Sequence, residues 1–248
     1  VCLSGLVWLP RRFLWIVAVV IMAGHNLLDP IHFSGGTLQH WLWALLHQRS
    51  LLSVGEYSLR TSYPVLPWVG VITLGYLCGY LFAKEYSPLK RARQLTDMAK
   101  GALMCFLALR FINRYGDPSP WQWFEGGWQL TAMSFLNLTK YPPSLLFMVM
   151  TLSPAFLLLR YSEHWQHKAA QLVQTFGRVP FFYYVLHLYV INLVYHLCCY
   201  FYGQERLDVG HIGWVWAISV VLIACMYPLV AYFARLKARK ASPWLSYF

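Results

Sequence analysis

The sequence predicts an all-α protein that crosses a membrane several times as a bundle of helices. Its 248 residues are 58% hydrophobic and 18% aromatic, and only 12% are charged, whereas soluble domains carry about 25% charged residues. The mean hydropathy is +0.46. The apolar residues form long runs separated by polar connections that hold most of the basic residues. These observations favour a polytopic membrane protein over a soluble domain.

Two other classes of protein are disfavoured by the distribution of basic residues and cysteines. The net charge is +11, but the basic residues are scattered between apolar runs instead of forming one patch, so no nucleic-acid partner is expected. All six cysteines lie within apolar runs, and none belongs to a CxxC pair. They are typical of small buried hydrophobic residues, and neither a disulfide framework nor a zinc site is expected.

Seven apolar stretches are candidate spans, and they predict one integral membrane domain over residues 1–248. A span needs about 20 residues, so the second, fourth and fifth depend on their flanks or on neighbouring helices. The first stretch lacks the basic region and cleavage site of a signal peptide. It is expected to be the second half of a span, in the C-terminal part of a larger core. The stretches are residues 1–9, 13–28, 64–83, 98–112, 144–159, 179–202 and 213–233.

Lysine and arginine are distributed unequally between alternate connections. One set of connections holds fourteen of these residues, and the other set holds six. Cytoplasmic connections are enriched in Lys and Arg, so the bias predicts a cytoplasmic C-terminus. The smaller set, on the predicted outer side, consists of Arg49, Arg60, Arg110, Arg114, Lys140 and Arg206.

Two of the predicted outer connections are long and rich in apolar residues. Residues 38–47 place five large apolar side chains on one helical face, which predicts a helix lying in the membrane interface. Residues 120–128 are rich in tryptophan, which is typical of an aromatic belt at the lipid headgroups. The apolar face of the first connection consists of Leu38, Trp41, Leu42, Leu45 and Leu46.

Lys140 stands just before Pro142 and Pro143, which predict the first turn of a helix. The N-terminus of a helix carries partial positive charge, so a cation there is unfavourable unless it has a negative partner. A lipid phosphate, a carboxylate or an anionic substrate would each serve. The candidate carboxylates on the same predicted side are Asp29, Asp117 and Glu125.

The sixth stretch has a similar start. Arg178 precedes Pro180 by two residues on the predicted cytoplasmic side, where either an anionic ligand or the general excess of positive charge would explain it. His187 follows about 10 Å further along the helix, and an ionisable residue at that depth is a candidate functional group. A packing contact with Tyr183 or Tyr184, one turn earlier, is the alternative.

The sequence GHNLLD combines a base, an amide and a carboxylate in residues 24–29. Asp29 comes four residues after His25, which is close enough to orient the imidazole if the helix continues. This arrangement predicts a catalytic pair at the outer end of the second stretch. A polar helix terminus without catalytic function would have the same sequence.

Five segments together resemble the prokaryotic members of the heparan-alpha-glucosaminide N-acetyltransferase catalytic-domain family. They occur in order and cover nearly the whole chain, so the combination is specific although no single segment is. The segments are GHNLLD at 24–29, YPVLPWVGVITLGYLCGYLF at 63–82, LRFINRYGDPSPW at 109–121, SFLNLTKYPPSLLFMVMTLSPA at 134–155 and FGRVPFFYYVLHLY at 176–189.

The resemblance implies a multi-pass acyltransferase of the bacterial inner membrane. Such a protein takes an acetyl or other acyl group from acetyl-CoA or another acyl-CoA on the cytoplasmic side. It passes the group to an amine or hydroxyl of a sugar-type acceptor on the other side, and the chemistry requires no metal. The implied partners are the lipid bilayer, acyl-CoA and a glycan acceptor, and a homodimer is left open.

The resemblance also distributes roles among the polar residues. The family's catalytic histidine belongs near its first spans, upstream of this sequence, so no residue here inherits that role. The candidates for proton transfer are ionisable residues at or near membrane depth. The cations beside prolines and the polar residues of the outer connections are candidates for binding substrates. The predicted catalytic residues are His25, Asp29 and His187, and the predicted substrate-binding residues are Asn113, Asp117, Lys140 and Arg178.

Two other functions are open from the sequence. A transporter or permease-like protein would use midplane polar residues such as His187 and Asn192 to move an anionic solute. A non-catalytic membrane subunit would use its polar residues only to pack helices. No repeated pair of half-sequences, which many transporters have, is found in the chain.

Overall fold

A computed structural model of the chain describes residues 2–203, 209–239 and 245. The predicted all-α class is confirmed, because helices dominate and the described strands form a single antiparallel hairpin. The chain divides into two compact units, Val1–Glu163 and His164–Phe248, which are described separately. Arg206 and Lys240, two residues of the charge bias, lie outside the described residues.

The first unit contains seven helices and the hairpin within its described residues. Two of the helices, α2 and α4, continue as 3-10 turns at His25–Leu28 and Gly79–Phe82. The elements are α1 (Cys2–Leu6), α2 (Arg11–Gly24), α3 (Leu38–Leu46), β1 (Ser50–Val54), β2 (Tyr57–Thr61), α4 (Val65–Cys78), α5 (Pro88–Ile112), α6 (Trp128–Leu136) and α7 (Leu145–Ser162).

The second unit contains three helices within its described residues: α8 (Lys168–Arg178), α9 (Pro180–Tyr202) and α10 (Ile212–Ala238). Its core is small and consists of Val179, Val230 and Ala234, with Phe182 stacked on Phe233 at a centroid distance of 4.0 Å. Pro180 begins α9, as predicted from its compatibility with the first helical turn.

Five described helical segments are long and apolar enough to cross a membrane, and the chain is an integral membrane protein. They correspond to the second, third, fifth, sixth and seventh predicted stretches. The helix of the first stretch, α1, has only five residues and is too short to be counted as a span. The fourth lies in α5, whose N-terminal half is charged and lowers its hydropathy. The five segments are Arg11–Leu28, Val65–Phe82, Leu145–Ser162, Pro180–Tyr202 and Ile212–Ala238.

The core of the first unit is built from two helix pairs, α2 with α4 and α5 with α7. Leu14 and Ala18 of α2 bury against Leu77 of α4. At Gly70 the two helices come so close that a Cβ atom would lie 2.7 Å from the side-chain Cγ of Met22 and 3.3 Å from its backbone nitrogen. Glycine therefore permits the close packing of α2 and α4.

The end of α2 meets the start of α7 at one end of this unit. The Tyr115 hydroxyl, just beyond α5, donates a hydrogen bond to the carbonyl oxygen of Ala23. Asn26 Oδ1 accepts a hydrogen bond from the backbone N–H of Leu145 at 2.9 Å. The connections 29–64 and 113–144 therefore start and finish at this end, which the Lys and Arg distribution predicts to be extracytoplasmic.

The prediction that Pro142 and Pro143 form the first turn of a helix is wrong. Helix α7 begins at Leu145, and both prolines precede it in a turn that contains a cis Tyr141–Pro142 peptide bond. Ser144 is the N-cap, and its side chain accepts a hydrogen bond from the N–H of Phe147 at 3.0 Å. A serine cap satisfies a free N–H group of the first turn, which proline at that position cannot do.

The predicted interfacial helix is present as α3, and its leucine face is exposed. The opposite face buries His40, Ala44 and, just after the helix, His47. The hairpin that follows, with Gly55 at a φ of 60° in its turn, is not predicted from the sequence. Thus one face of α3 is free for lipid, and the other carries polar residues into the protein.

Candidate functional site

A cavity of about 350 Å³ opens at the predicted outer end of the first unit. Its walls come from three connections that are distant in sequence. Asp29 and His32 follow α2, His47 and Arg49 follow α3, and Tyr141 belongs to the connection before α7. The cavity is therefore a product of the tertiary fold, and it has acidic, basic and aromatic groups in its walls.

Asp29 binds His47 rather than His25. Its Oδ1 lies 3.0 Å from Nε2 of His47, and its Oδ2 accepts a hydrogen bond from Nδ2 of Asn26 at 2.8 Å. The expectation that Asp29 orients His25 is therefore wrong. The α-helix ends at Gly24 and tightens into a 3-10 turn. With three residues per turn, positions four apart no longer share a face.

The carboxyl group of Asp29 is held in its ionised form. Partial burial acts to raise its pKa, but the hydrogen bonds from His47 and then from Asn26 outweigh this effect, so the pKa lies below its usual value. Hydrogen bonds to the charged form of a carboxylate stabilise it in this way. The cavity wall therefore carries a negative charge at neutral pH.

His25 is deeply buried and has no hydrogen-bond partner among the described residues. Its side chain is 2% exposed, and neither ring nitrogen is satisfied; Nδ1 of His47 is unsatisfied as well. A buried polar group without a partner costs about 1–3 kcal/mol. The two imidazoles lie with their ring centroids 5.7 Å apart. This part of the site thus has free nitrogen donors close to an ionised carboxylate.

Two kinds of chemistry are open to this cluster. An imidazole whose one nitrogen is held by a carboxylate can take a proton from an amine or a hydroxyl. Two imidazoles and a carboxylate are also a common donor set for first-row metal ions. The ligand atoms of His25, Asp29 and His47 all lie within 4.8 Å of one another. The resemblance to the acyltransferase family implies chemistry that requires no metal, and nothing in the sequence connects His47 with the other two residues.

His47 and Asn26 are the residues of this site that sequence reasoning misses. His47 is separated from Asp29 by 18 residues, and the intervening segment contains a loop and α3. A signal does exist: His40 and His47 are seven residues apart, so a helical pattern places both on the side opposite the leucines of α3. Asn26 belongs to GHNLLD, but its link to α7 depends on a contact over 119 residues.

Asn113 and Asp117 organise the connection between α5 and α7. Asp117 accepts hydrogen bonds from the Ser119 N–H, from the N–H and hydroxyl of Thr139, and from the Ser144 hydroxyl. Asn113 has a φ of 55°, and its side-chain amide exchanges two hydrogen bonds with the backbone of Trp121. Their side chains are thus engaged with the protein, and their substrate-binding roles stay predictions.

Lys140 lies beside an aromatic side chain at the cavity. Its Nζ is 5.3 Å from the ring centroid of Tyr141, and the Arg49 guanidinium is 5.8 Å from the same ring. The pKa of Tyr141 is lowered by its hydrogen bond with Tyr63, at 3.2 Å, and next by Lys140. The ion pairs of the described residues do not include Lys140, so the carboxylate alternative is not found there. The substrate-binding role of Lys140 stays a prediction.

Arg178 and His187 belong to the second unit. Arg178 is exposed at the end of α8, and its carbonyl oxygen accepts a hydrogen bond from Nζ of Lys237 at 3.2 Å. Nδ1 of His187 lies 3.2 Å from the carbonyl oxygen of Tyr183, whose ring stacks on the imidazole. This is the Tyr183 contact that the sequence suggests for packing, and the catalytic role of His187 stays a prediction.

Comparison with known proteins gives one family match, over the N-terminal part of the chain. Residues 2–114 match the family described as heparan-alpha-glucosaminide N-acetyltransferase, catalytic. No curated protein and no solved structure matches the chain. The matched residues run from α1 to just beyond α5 and include His25, Asp29 and His47. This match over slightly less than half of the chain supports membership in the heparan-alpha-glucosaminide N-acetyltransferase catalytic-domain family and indicates an acetyltransferase-like membrane protein.

Proposed function

We propose that the protein moves an acetyl or other acyl group from cytoplasmic acyl-CoA to an amine or hydroxyl of a sugar-type acceptor on the opposite side of the membrane. The observation that carries this proposal is the polar cavity walled by Asp29 and His47. It lies at the end of the first unit that is predicted to be extracytoplasmic, and both residues fall within the part that matches the family.

The cavity suits the reacting part of an acceptor. Its volume of about 350 Å³ is at the lower end of the range for small-molecule sites, which runs from about 300 to 1,000 Å³. Asp29 and His47 would face the acceptor's amine or hydroxyl, and His25 lies directly behind them. Arg49 and Lys140 would bind polar or anionic groups at the rim, next to the Tyr141 ring.

A second cavity at the opposite end of the first unit suits the donor. It has a volume of about 480 Å³ and is bordered by Arg11 and by Tyr80. The Arg11 guanidinium lies 3.9 Å from the ring centroid of Tyr80. Arginine is well suited to phosphate groups because it donates two parallel hydrogen bonds. Arg11 is therefore proposed to meet the phosphates of CoA at this cavity. Arg178 of the second unit stays a predicted substrate-binding residue, as an exposed cation at the end of α8.

The proposal is tested with protein purified from its own membrane and reconstituted into proteoliposomes. Acetyl-CoA labelled in the acetyl group is supplied on the side that carries the C-terminus, and glucosamine on the other side. The proposal predicts labelled N-acetylglucosamine that forms only with both substrates present. His47→Gln should reduce the rate at least tenfold, whereas His40→Gln, a buried histidine of α3 outside the cavity, should retain it.

Two results would contradict the proposal. If acceptor or anion crosses the vesicle membrane without acyl transfer, the protein acts as a transporter. If the protein neither transfers an acyl group to any amine or hydroxyl sugar tested nor moves a solute, the non-catalytic role is correct. A screen of several acyl-CoA donors and amino sugars is required before either conclusion.

A further inference from the structure

We propose that His25, Asp29 and His47 together bind one divalent first-row transition metal ion at the wall of the outer cavity. This binding site is independent of which acyl group or acceptor the protein uses. The three side chains come from two connected regions, the 3-10 turn after α2 and the residue that follows α3. Hydrogen bonds from Asn26 and His47 hold Asp29 between the two regions, and a metal ion would join them.

The distances are close to those that a metal ion requires. A first-row ion lies about 2.0–2.2 Å from imidazole nitrogen and carboxylate oxygen, so tetrahedral ligand atoms are about 3.3 Å apart. Here the ligand atoms all lie within 4.8 Å of one another. Nε2 of His47 and Oδ1 of Asp29 are 3.0 Å apart. Binding therefore requires side-chain shifts of about 1.5 Å or less, which rotation of the imidazoles supplies.

The buried nitrogens are the second and independent observation. The 2% exposed side chain of His25 has two unsatisfied ring nitrogens, and its ring lies edge-on to that of His47. Buried polar groups in proteins are almost always paired. A histidine kept for packing alone would be expected to donate to a nearby carbonyl, as His187 does with Tyr183. A metal ion bound to the cluster would give one of the two unsatisfied nitrogens of His25 a partner.

Asn26 holds the carboxylate of Asp29 in position for the ion. Asn26 donates from Nδ2 to Oδ2 of Asp29, while its Oδ1 is fixed by the N–H of Leu145. Oδ1 of Asp29, the atom that faces His47, is thereby left for the metal. Partners of this kind orient the ligands of metal sites and raise the affinity for the ion.

The donor atoms define the class of metal. Two imidazole nitrogens disfavour Mg²⁺ and Ca²⁺, which prefer ligands that are all oxygen. No thiolate belongs to the cluster, so soft ions such as Cu⁺ are also disfavoured. Two histidines and one carboxylate, with a fourth position open, are typical of Zn²⁺ and of similar divalent ions. Asp29 and His47 border the cavity, so the open position would be reached from it.

The experiment measures metal binding by the full chain in detergent and does not require acyl-transfer activity. The protein is treated with chelator and desalted, and then titrated with Co²⁺, whose visible absorption reports its coordination, and with Zn²⁺ in competition. We expect one Co²⁺ per chain, displaced by one Zn²⁺. His25→Gln and His47→Gln should weaken binding at least about 100-fold, since even outer-shell changes cost about 10–100-fold. His40→Gln should bind as the wild type does.

Each outcome decides the question. Absence of a Co²⁺ spectrum in the wild type, or a spectrum that both variants retain, overturns the proposal; an ordered water molecule then satisfies His25. If a variant fails to fold, X-ray absorption of the wild-type zinc complex decides instead: two imidazoles support the site, and none overturns it. Metal binding without acyl transfer would contradict only the proposed function, and acyl transfer by protein that binds no metal would contradict only the metal site.

Discussion

Asn26 Oδ1 accepts the backbone N–H of Leu145 at 2.9 Å, and this single hydrogen bond joins the end of α2 to the beginning of α7. The same side chain donates to Asp29, which in turn binds His47. One asparagine therefore connects the helical core with the cavity wall. GHNLLD is better explained by this geometry than by a local pair of His25 and Asp29.

Asn26→Ala should lower both the stability of the protein and the order of the cavity. The substitution removes two hydrogen bonds and leaves the N–H of Leu145 buried without a partner, at a cost of about 1–3 kcal/mol. Thermal unfolding in detergent measures the change. Asn137→Ala is the matched control, because that side chain is exposed. Equal melting temperatures of the two variants would contradict the structural role of Asn26.

Arg110 is expected to be essential for folding rather than for binding. The buried guanidinium donates to the carbonyl oxygens of Ser119, Ser134, Phe135 and Asn137, and so binds the C-terminal end of α6. An ammonium group cannot reach all four, and hydrogen bonds to charged groups contribute about 1.5–3 kcal/mol each. Arg110→Lys should therefore reduce the free energy of unfolding by roughly 3 kcal/mol or more.

The control for this prediction is Arg114→Lys, four residues further on, since Arg114 is exposed. Chemical unfolding followed by tryptophan fluorescence compares the two variants. A change of less than about 1 kcal/mol in Arg110→Lys, similar to that of a surface substitution, would show that the four contacts contribute little.

Lys140→Ala should impair use of the acceptor while leaving the fold intact. The side chain is exposed beside Tyr141, and no ion pair of the described residues depends on it. An exposed cation at the rim of a binding site acts mainly through charge. We expect a several-fold higher KM for the acceptor and an unchanged melting temperature. The control is Arg60→Ala, in the exposed hairpin, which should leave the KM unchanged. An unchanged KM would remove Lys140 from the binding site.

Arg178→Gln should weaken the binding of acyl-CoA and reduce its dependence on salt. The side chain is exposed at the end of α8, and contacts between exposed charges are screened by salt. Titration calorimetry at low and high ionic strength measures both quantities. Lys168→Gln, at the other end of the same helix, is the control. A wild-type dissociation constant for Arg178→Gln would assign this arginine to membrane topology alone.

The sequence predicts the helices better than it predicts the site. Runs such as residues 64–83 are recognised because apolar length is a local property, and α4 with its 3-10 turn matches that run closely. The charged N-terminal half of α5 hides the true length of that helix. The hairpin 50–61 is too short and too exposed to give a clear periodic pattern.

The cavity depends on contacts that no local pattern contains. His25 and Asp29 are singled out by their chemistry, but after the 3-10 turn the hydrogen-bond partner of Asp29 is His47, 18 residues away, and not His25. Asp117 and Asn113 are recognised as unusual polar residues, yet their hydrogen bonds hold loops together. A polar residue can thus be located from the sequence, while its partner follows only from the tertiary structure.

Acyl transfer across a sealed membrane tests the central claim most directly. The reconstituted protein is given labelled acetyl-CoA on one side and an amino sugar on the other, with wild type, His47→Gln and His40→Gln compared at equal protein content. We expect labelled acceptor with the wild type and with His40→Gln, and a rate at least tenfold lower with His47→Gln. Equal transfer by all three proteins would show that the cavity at Asp29 and His47 is not the acceptor site.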